Sequence, residues 1–384
     1  MDAFHYVSLA QDVIFGPGSL AQLGEAVGRL GCKRLFLFTN RSVRAGGHVD
    51  PVQAILADRL VGVFDQVLPH VQDYQVNEML KLAAEAKADA VIGLGGGSPI
   101  GMAKAVSYGL EEKKVGHPAG SASPVAQPLI PVVAIPTTYA GSEMTPTYGT
   151  TQTHETPSRK VTLSDPRVAP KLVIYDPELT LDLPPEMTAS TGMNALAHCI
   201  EALYSVTRNP LSTAAALSGV RHIHSALLRC CKEGKDLEAR TEMMLGAHLA
   251  GLSLASVKMG LHHGLCHVLG GSANVPHGIA NSIMLPHAMR FNAEATASQL
   301  LPAAEAMGIR SNGSSQAAVI DAAAQLIFDL VGRMNLPQRL RDVGVKEADL
   351  PRLAGLGFQN RTVQSNPRPI TDAAQIETLL RKAW

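Results

Sequence analysis

The residues best suited to chemistry are histidines in the C-terminal half of the chain. Five of the 14 histidines lie in residues 260–287, GLHHGLCHVLGGSANVPHGIANSIMLPH. His263 and His267 are four residues apart, which places both on one side of a helix. We expect Gly270 and Gly271 to end that helix, so that His277 begins a new element. Because imidazole titrates near neutral pH, such a group can donate both hydrogen bonds and protons.

A second candidate segment, TGMNALAHCIEALY (residues 191–204), has helical spacing. At about 100° per residue, Asn194, His198 and Glu201 fall on one face, and apolar residues occupy the opposite face, which we expect to be core. The predicted catalytic residues are His198, His263, His267 and His277, with Tyr139 as a weaker candidate. For His262 and His287 we favour a role as hydrogen-bonded core residues, and for Lys104 a solvated helix position.

One side chain decides whether this site should hold a metal. The imidazoles of His198, His263 and His277 could bind Zn²⁺ or Fe²⁺. The helix position suited to a carboxylate holds Asn194, a neutral amide that leaves the charge of a dication uncompensated. We therefore expect no metal; if one binds, its ligands are those three histidines and Asn194.

A glycine-rich turn in AVIGLGGGSPIGMAK (residues 90–104) is typical of a phosphate site. A strand leads into Gly95, Gly96 and Gly97, followed by Ser98 as a predicted N-cap and Pro99 in the first helical turn. This arrangement brings backbone N–H groups and a helix N-terminus together where a phosphate could bind. The signal is weak alone, because a tight strand-to-helix turn explains the glycines equally well.

Polar side chains at the ends of two other predicted strands extend this nucleotide site. Thr137, Thr138 and Ser142 follow one strand, at the usual ligand edge of an open α/β sheet. Thr39 and Asn40 end another strand without the carboxylate that usually selects NAD over NADP. We therefore expect the nucleotide site to accept NADP as well as NAD, with Arg41 as a residue that could assist NADP binding.

The elements that position these residues change character along the chain. Apolar runs in the first half, typical of strands buried on both faces of a mostly parallel sheet, are RLFLFTN (34–40), AVIGLGGGS (90–98), PVVAIPTT (131–138) and KLVIYDP (171–177). Helical patterns replace them after residues 182–187. We predict an α/β NAD(P)-binding domain over residues 1–184, an all-helical catalytic domain over 185–384, and chemistry in a cleft between them.

Composition excludes several classes of function. Lys+Arg and Asp+Glu both number 33, so no global field attracts nucleic acid or a membrane. Five cysteines without CxxC spacing favour reduced thiols in a cytoplasm. No export signal or membrane span is indicated, so we expect a soluble, cytoplasmic protein with a small-molecule substrate. GHPAGSASPVAQP (116–128) is predicted to be a surface loop.

Five segments together resemble the iron-containing (group III) alcohol dehydrogenase superfamily over nearly the whole chain, and within it most closely the maleylacetate reductase branch. They are GGGS, AIPTTYAGSEMTP, DPRVAPKLVIYDPELT, GMNALAHCIEALYS and GLHHGLCHVLGG. The resemblance implies an N-terminal NAD(P)-binding α/β domain, a C-terminal all-helical domain and commonly a homodimer.

The resemblance also assigns positions. In metal-dependent relatives the glycine motif is GGGSxxDxAK, and an Asp and three His bind the metal. The Asp of the glycine motif corresponds to Gly101, the ligand Asp to Asn194, the ligand histidines to His198, His263 and His277, and a histidine near the nicotinamide to His267. At both Gly101 and Asn194 a neutral residue stands in place of an acid, which resembles the reductase branch, and that branch looks metal-independent. PHGIANSIMLPH instead resembles the metal-dependent alcohol dehydrogenases, since the reductases tend towards PHAETH.

We therefore predict NADH- or NADPH-dependent reduction of maleylacetate, or a related unsaturated oxo-dicarboxylate, to 3-oxoadipate in the catabolism of aromatic compounds. The histidine cluster would supply donors to a developing enolate and a general acid, and a protonated cluster would suit a dianionic substrate. One alternative is an Fe- or Zn-dependent alcohol dehydrogenase or aldehyde reductase. Another is a catalytically silent nucleotide-binding protein.

Overall fold

A computed structural model of the protein describes residues 4, 6, 8–115, 130–153 and 159–384. The chain divides into two compact units, Val7–Leu183 and Pro184–Trp384. The loop predicted at residues 116–128 lies outside the described residues. The assignment of nucleotide binding to residues 1–184 and of catalysis to 185–384 stays a prediction.

A six-stranded parallel sheet forms the centre of the N-terminal unit. The strands of this unit are β1 (Asp12–Phe15), β2 (Leu35–Phe38), β3 (Leu60–Phe64), β4 (Ala90–Gly95), β5 (Val132–Pro136), β6 (Thr147–Gln152), β7 (Arg159–Ser164) and β8 (Leu172–Tyr175). The sheet order is β1-β8-β5-β4-β2-β3, and β6 and β7 form a separate antiparallel pair. Because neighbouring strands of the large sheet are parallel, their carboxyl ends meet at one edge.

Helices cover both faces of this sheet. They are α1 (Leu23–Arg29), α2 (Arg41–Ala45), α3 (Val49–Leu56), α4 (Asp73–Glu85) and α5 (Gly97–Val115). Leu35 and Leu37 of β2 pack into one core with residues of α1 and α3. Phe36 and Phe38, on the opposite face, pack into a second core with residues of α4 and α5. Successive strand residues point to opposite faces, so the continuous apolar runs follow directly from burial on both sides.

The C-terminal unit, all of which is described, contains helices and no strand. Its α-helices are α6 (Pro185–Tyr204), α7 (Pro210–Lys232), α8 (Leu237–Ser256), α9 (Leu261–Ala273), α10 (His277–Ala306), α11 (Gln316–Arg333), α12 (Leu350–Gln359) and α13 (Ala373–Ala383). The predicted fold class, a mostly parallel α/β unit followed by a helical one, is confirmed.

Four strands were missed from the sequence, although each of the four predicted apolar runs contains a strand. β1 is a short, partly exposed edge strand, and β3 is only half-buried along its length. β6 and β7 have mainly polar sequences, TYGTTQ and RKVTLS. Strands that bury little surface lack the apolar runs by which the others were found.

Two local expectations about helices are wrong, and a third, the apolar core face of α6, holds but the opposite face is buried as well. α5 begins at Gly97, so Ser98 lies in its first turn and is not the N-cap. α9 continues through the predicted glycine stop at 270–271 to Ala273 and ends where Asn274 adopts φ 54°, because glycine weakens a helix without forbidding it. α6 is buried on almost every side from Thr188 onward, since α7, α8 and α10 pack around it. His277 does begin a new helix, as predicted.

Among the described residues, no individual helix has both the length and the apolar character required to cross a membrane. One bent pair of helices, Leu237–Ser256 with Leu261–Ala273, satisfies the test on length and composition alone.

Candidate active site

Four histidine rings lie together in the C-terminal unit. His198 of α6 stacks against His263 of α9, with ring centroids 4.5 Å apart and planes inclined by 13°. His277, at the start of α10, lies 6.0 Å from His263 and 5.6 Å from His267 between ring centroids. The structure therefore brings all four predicted catalytic histidines into one cluster. Their catalytic roles stay predictions.

The cluster extends from the interior to the surface of this unit. His263 and His198 are only 3% and 4% exposed, His277 is half-buried, and His267 is exposed. Solvent therefore reaches the cluster at the His267 end, and the stacked pair lies beneath it.

A fully buried carboxylate, Glu201 of α6, holds the start of α9. Its Oε1 accepts hydrogen bonds from the backbone N–H groups of Gly260 at 2.7 Å and His262 at 3.2 Å. Its Oε2 accepts from the backbone N–H of His263 at 3.2 Å and lies 2.5 Å from Nδ1 of the same residue. The unpaired N–H groups and dipole of a helix N-terminus favour a negative charge there. Glu201 is thus both an anchor for α9 and the direct partner of His263.

The charge states of the buried groups follow from burial and from these contacts. Burial raises the pKa of the Glu201 carboxyl, but the imidazoles of His263 and His262 outweigh burial and hold that pKa below its usual range. Burial lowers the pKa of His198 well below its ordinary value, and His263 and His277 lower it further. Burial also lowers the pKa of His263, against the opposing effect of Glu201. Both shifts favour the neutral form of these two rings, and the protonated cluster stays a prediction.

The histidines as placed do not fit a metal ion. A cation lies in the plane of each imidazole that binds it, about 2.0–2.1 Å from the nitrogen. His198 and His263 stack nearly parallel, and among the described residues the three histidines do not form a group whose ligand atoms all lie within 4.8 Å of one another. Asn194, 5% exposed on α6, adds no charge.

A different group, Glu201, His262 and His263, has potential ligand atoms within 4.8 Å of one another among the described residues. Both oxygens of Glu201 already accept N–H groups, so this carboxylate offers no unoccupied anionic ligand. The predicted absence of a metal stays a prediction.

The remaining histidines of the segment occupy packed positions. His262 is fully buried, and its Nε2 lies 3.2 Å from the carbonyl oxygen of Asn281, in agreement with the core role favoured for it. His287 is partly buried on α10, and its Nε2 has no hydrogen-bond partner among the described residues.

Two residues named from the sequence, Tyr139 and Lys104, are buried in the N-terminal unit. Tyr139 is fully buried, and its hydroxyl donates to Thr180 Oγ1 at 3.4 Å; its predicted catalytic role gains no support from this contact. Lys104 is also fully buried, so the expectation of a solvated lysine is wrong. Its Nζ donates to the carbonyl oxygens of Ser142 at 2.6 Å and Thr147 at 3.0 Å. Burial lowers the pKa of Lys104 to about 7.

The glycine turn and the polar loop after β5 lie side by side in the N-terminal unit. A Cβ added to Gly96 would lie 3.2 Å from Thr138 Oγ1, and one added to Gly97 would lie 4.0 Å from Ser142 Cβ. The backbone N–H of Thr137 donates to the carbonyl of Gly95 at 3.1 Å. The structure thus assembles these predicted cofactor residues around the N-terminus of α5, where side-chain-free backbone suits a pyrophosphate.

A cavity of about 520 Å³ lies beside this turn. Its lining includes Asn40, Arg41, Tyr74 and Ser98, and therefore unites two predicted cofactor residues, Asn40 and Ser98. Asn40 Oδ1 accepts from the backbone N–H of Val43 and caps α2. Among the residues lining the cavity there is no carboxylate.

Thr39 has a different environment from its neighbour. It is fully buried, and its hydroxyl donates to the carbonyl oxygen of Leu94 at 2.8 Å. This bond links β2 to β4, so the structure gives Thr39 a structural contact, and its predicted cofactor role stays a prediction.

Sequence reasoning overlooked the roles of Glu201 and Lys104. The spacing of Glu201 from His198 placed it on the same helix face, which was the available signal, but its partner, His263, is 62 residues away in sequence. The contacts of Lys104 span 38 to 43 residues. Neither pairing is visible in a local pattern.

Comparison with known proteins agrees with this architecture. Residues 10–177 match the family model for iron-containing alcohol dehydrogenases, and residues 188–384 match the model for the C-terminal part of the Fe-containing alcohol dehydrogenase family. A maleylacetate reductase of Burkholderia cepacia is 36% identical over 384 residues, covering 100% of this chain and 98% of that protein.

Two solved structures are similar over the whole chain. The maleylacetate reductase of Rhizobium sp. strain MTP-10005 has a TM-score of 0.86 and 33% identity, covering 100% of this chain and 99% of that one. A 1,3-propanediol oxidoreductase has a TM-score of 0.90 and 32% identity, with 100% of both chains covered. The chain belongs to the iron-containing alcohol dehydrogenase family. It is an oxidoreductase whose full-length relatives include maleylacetate reductases.

Proposed function

We propose that this protein reduces maleylacetate, or a closely related unsaturated oxo-dicarboxylate, to 3-oxoadipate with NADH or NADPH. The observation that carries the proposal is the full-length identity of 36% to maleylacetate reductases. The stacked pair of His198 and His263, whose neutral form burial favours and which has no anionic ligand for a cation, supports it. The open glycine backbone at the start of α5 supports the dinucleotide.

The reaction adds one hydride and one proton to the substrate. When bound, NAD(P)H supplies the hydride that forms a C–H bond at the alkene carbon β to the ketone. The π electrons of the double bond then move to the ketone oxygen, where the enolate needs a nearby hydrogen-bond donor. The histidine cluster carries a proton from solvent, which forms the second C–H bond and restores the ketone. His267 and His277, the more accessible rings, are the members we assign to contact with substrate and cofactor.

We propose both NADH and NADPH as cofactors because of the cavity beside Ser98. A carboxylate there would repel the 2′-phosphate of NADPH, but the cavity is lined by Asn40 and Arg41 instead. Arg41 donates to Gln66 Oε1 at 3.0 Å and is 25 residues away from it in sequence. The guanidinium is therefore held at the cavity, where it can meet a phosphate.

The same proposal includes the biological setting. We assign the enzyme to the catabolism of aromatic compounds and to the cytoplasm, where its five free cysteines stay reduced. We further propose a homodimer that acts on a small dicarboxylate and binds neither nucleic acid nor membrane, in keeping with its net charge of +0.

A metal-dependent alcohol dehydrogenase is the second candidate. It is favoured by the 0.90 TM-score to a 1,3-propanediol oxidoreductase and by the segment PHGIANSIMLPH. There Fe²⁺ or Zn²⁺ would polarise the alcohol oxygen.

One set of assays tests these functions. Purified protein is given maleylacetate with NADH or NADPH, and short primary alcohols or diols with the oxidised cofactors, each with added Fe²⁺ and with chelator. We expect oxidation of the reduced nicotinamide and formation of 3-oxoadipate, both unaffected by chelator. Turnover of alcohols alone, abolished by chelator, would establish the second candidate. Cofactor binding without any turnover would favour the silent nucleotide-binding protein.

A further inference from the structure

Two consecutive residues between β3 and α4 have a left-handed backbone. His70 has φ 64° and Val71 has φ 48°. Histidine adopts this conformation more readily than most residues do, whereas a β-branched residue such as Val71 is an outlier there. Strained backbone of this kind persists only where the surrounding structure holds it, and it is common at functional sites. Contacts around the His70–Val71 turn must therefore stabilise this conformation.

Strand β6 and the core hold the turn from one side. The backbone N–H of Thr151 donates to the carbonyl oxygen of Val71 at 2.9 Å, and Thr151 Oγ1 donates to the carbonyl oxygen of His70 at 3.0 Å. The side chain of Val71 is 3% exposed and packs into the core that also contains Phe38 and Met79. A β-branched side chain has few rotamers. Val71 therefore cannot turn aside to make room for a new neighbour.

The first turns of α5 hold the His70–Val71 turn from the other side. The backbone N–H of His70 donates to Ser98 Oγ at 3.3 Å. A Cβ added to Gly101 would lie 3.1 Å from Val71 Cγ2, which is closer than an ordinary contact between two carbon atoms. Ser98 and Gly101 are three residues apart and lie on the same face of the helix. The turn packs on this face, and Gly101 leaves the space that Val71 occupies.

The same turn borders the cavity beside the glycine turn. Ser98 lines this cavity together with Leu68 and Pro69, and Pro69 immediately precedes His70. The position of the His70–Val71 turn therefore sets both one wall of the cavity and the hydroxyl in the first turn of α5.

We propose that Gly101 is a positioning residue for the dinucleotide. Because Gly101 has no side chain, Val71 packs against α5, and the turn holds Ser98 and the cavity wall in the geometry that binds NADH or NADPH. This inference rests on the proposed function. A side chain at position 101 would push against Val71 Cγ2, and the turn as a whole would move away from Ser98, since Val71 alone cannot yield.

The variant Gly101→Ala tests the proposal by adding one methyl group. We expect the Kd for NADPH to rise about tenfold, measured by titration with the fluorescence of the reduced nicotinamide as the signal. The matched control is Gly109→Ala on the same helix, where the added Cβ would lie 2.8 Å from Leu80 Cδ1. Leu80 does not line the cavity. The control should change Tm but keep the Kd for NADPH within about twofold of the wild type.

A second substitution separates positioning from general destabilisation. Val71→Ala removes Cγ2, the atom that the new methyl group at position 101 would meet. We expect the double variant Gly101→Ala/Val71→Ala to bind NADPH at least about threefold more tightly than Gly101→Ala alone. A loss caused only by lower stability would instead grow in the double variant, because Val71→Ala also removes buried apolar atoms.

Binding and turnover together distinguish this inference from the proposed function. With maleylacetate as substrate, Gly101→Ala should raise KM for NADPH about tenfold and change kcat less than about threefold, because the substitution does not touch the histidine cluster. An unchanged Kd in Gly101→Ala, or a double variant that binds as weakly as Gly101→Ala, would overturn the inference. If the wild type binds NADPH without reducing maleylacetate, the proposed function fails, and the Kd values still decide the role of Gly101. A wild type that binds neither NADH nor NADPH would overturn both.

Discussion

Single residues in the C-terminal unit decide the charge of the candidate site. Glu201 brings a negative charge to the start of α9, and burial favours the neutral forms of His198 and His263. Asn194, also buried, adds no second acid to the face of α6 that carries His198 and Glu201. The only carboxylate bonded to the cluster in the described part of the chain is thus already saturated by N–H groups. Within the described residues, this cluster offers a ligand imidazole nitrogens and an amide.

Replacing Asn194 with aspartate should make the site more receptive to cations. Asn194→Asp adds the negative charge that a dication lacks, so we expect at least a tenfold higher affinity for Fe²⁺ or Zn²⁺, about 1.4 kcal/mol or more. Calorimetric titration of metal into wild type and variant measures this. The metal-free variant should have a lower Tm, because it buries an additional negative charge. Equal metal affinity in the two proteins would contradict the role assigned to this position.

At the scale of elements, close backbone approach explains part of the glycine-rich turn. β4 and α5 approach each other at Gly93, where an added Cβ would lie 2.6 Å from Ile100 Cα and 3.0 Å from Ile100 N. Gly95 has φ 137°, a conformation that favours glycine. The turn is therefore required by the fold as well as suited to a phosphate. The structural and functional explanations of the motif apply to different glycines.

Gly93→Ala should destabilise the protein strongly, because backbone atoms of α5 cannot move aside as a flexible side chain could. We expect a loss of about 3 kcal/mol in the free energy of unfolding, measured by urea denaturation. Gly97→Ala is the matched control, since its nearest neighbour, Ser142 Cβ, is 4.0 Å away. The control should remain within about 0.5 kcal/mol of the wild type. Similar losses in both variants would show that close approach is not the cause.

At the scale of the whole molecule, stability depends on groups that are buried away from the candidate site. Burial, together with the charges of Arg290, Arg339 and Lys382, lowers the pKa of His287 to about 4. In the unfolded chain the ordinary value is near 6.5. Below pH 6.5 the unfolded chain therefore binds a proton that the folded protein does not, and stability falls until about pH 4.

Removing this group should flatten the acid side of the stability profile. Between pH 6.5 and 4 we expect the wild type to lose about 2–3 kcal/mol more than His287→Gln, from one pKa difference of this size. Urea denaturation at a series of pH values measures the difference. Above pH 7 the two curves should run parallel, since His287 is unprotonated there in both the folded and the unfolded protein. Parallel curves throughout the acid range would contradict the lowered pKa.

The sequence by itself determined the fold class, an α/β part followed by a helical part, and the places of its most buried strands. Apolar runs located the four central strands, helical spacing placed His263 and His267 on one helix, and His277 was correctly separated from them. These features depend on local periodicity, which is set by burial of one chain segment at a time. The family resemblance was also readable from the chain alone, as were its two departures from an acid, Asn194 at the metal-ligand position and Gly101 in the glycine motif.

Only the tertiary structure decided the environment of each charged or polar group. The anchoring of α9 by Glu201, the burial of Lys104 and the stacking of His198 on His263 join residues far apart in sequence. Their charge states follow from desolvation and from partners supplied by other helices and loops. Local spacing carries no record of such partners, because a side chain's electrostatic surroundings exist only once the helices have packed.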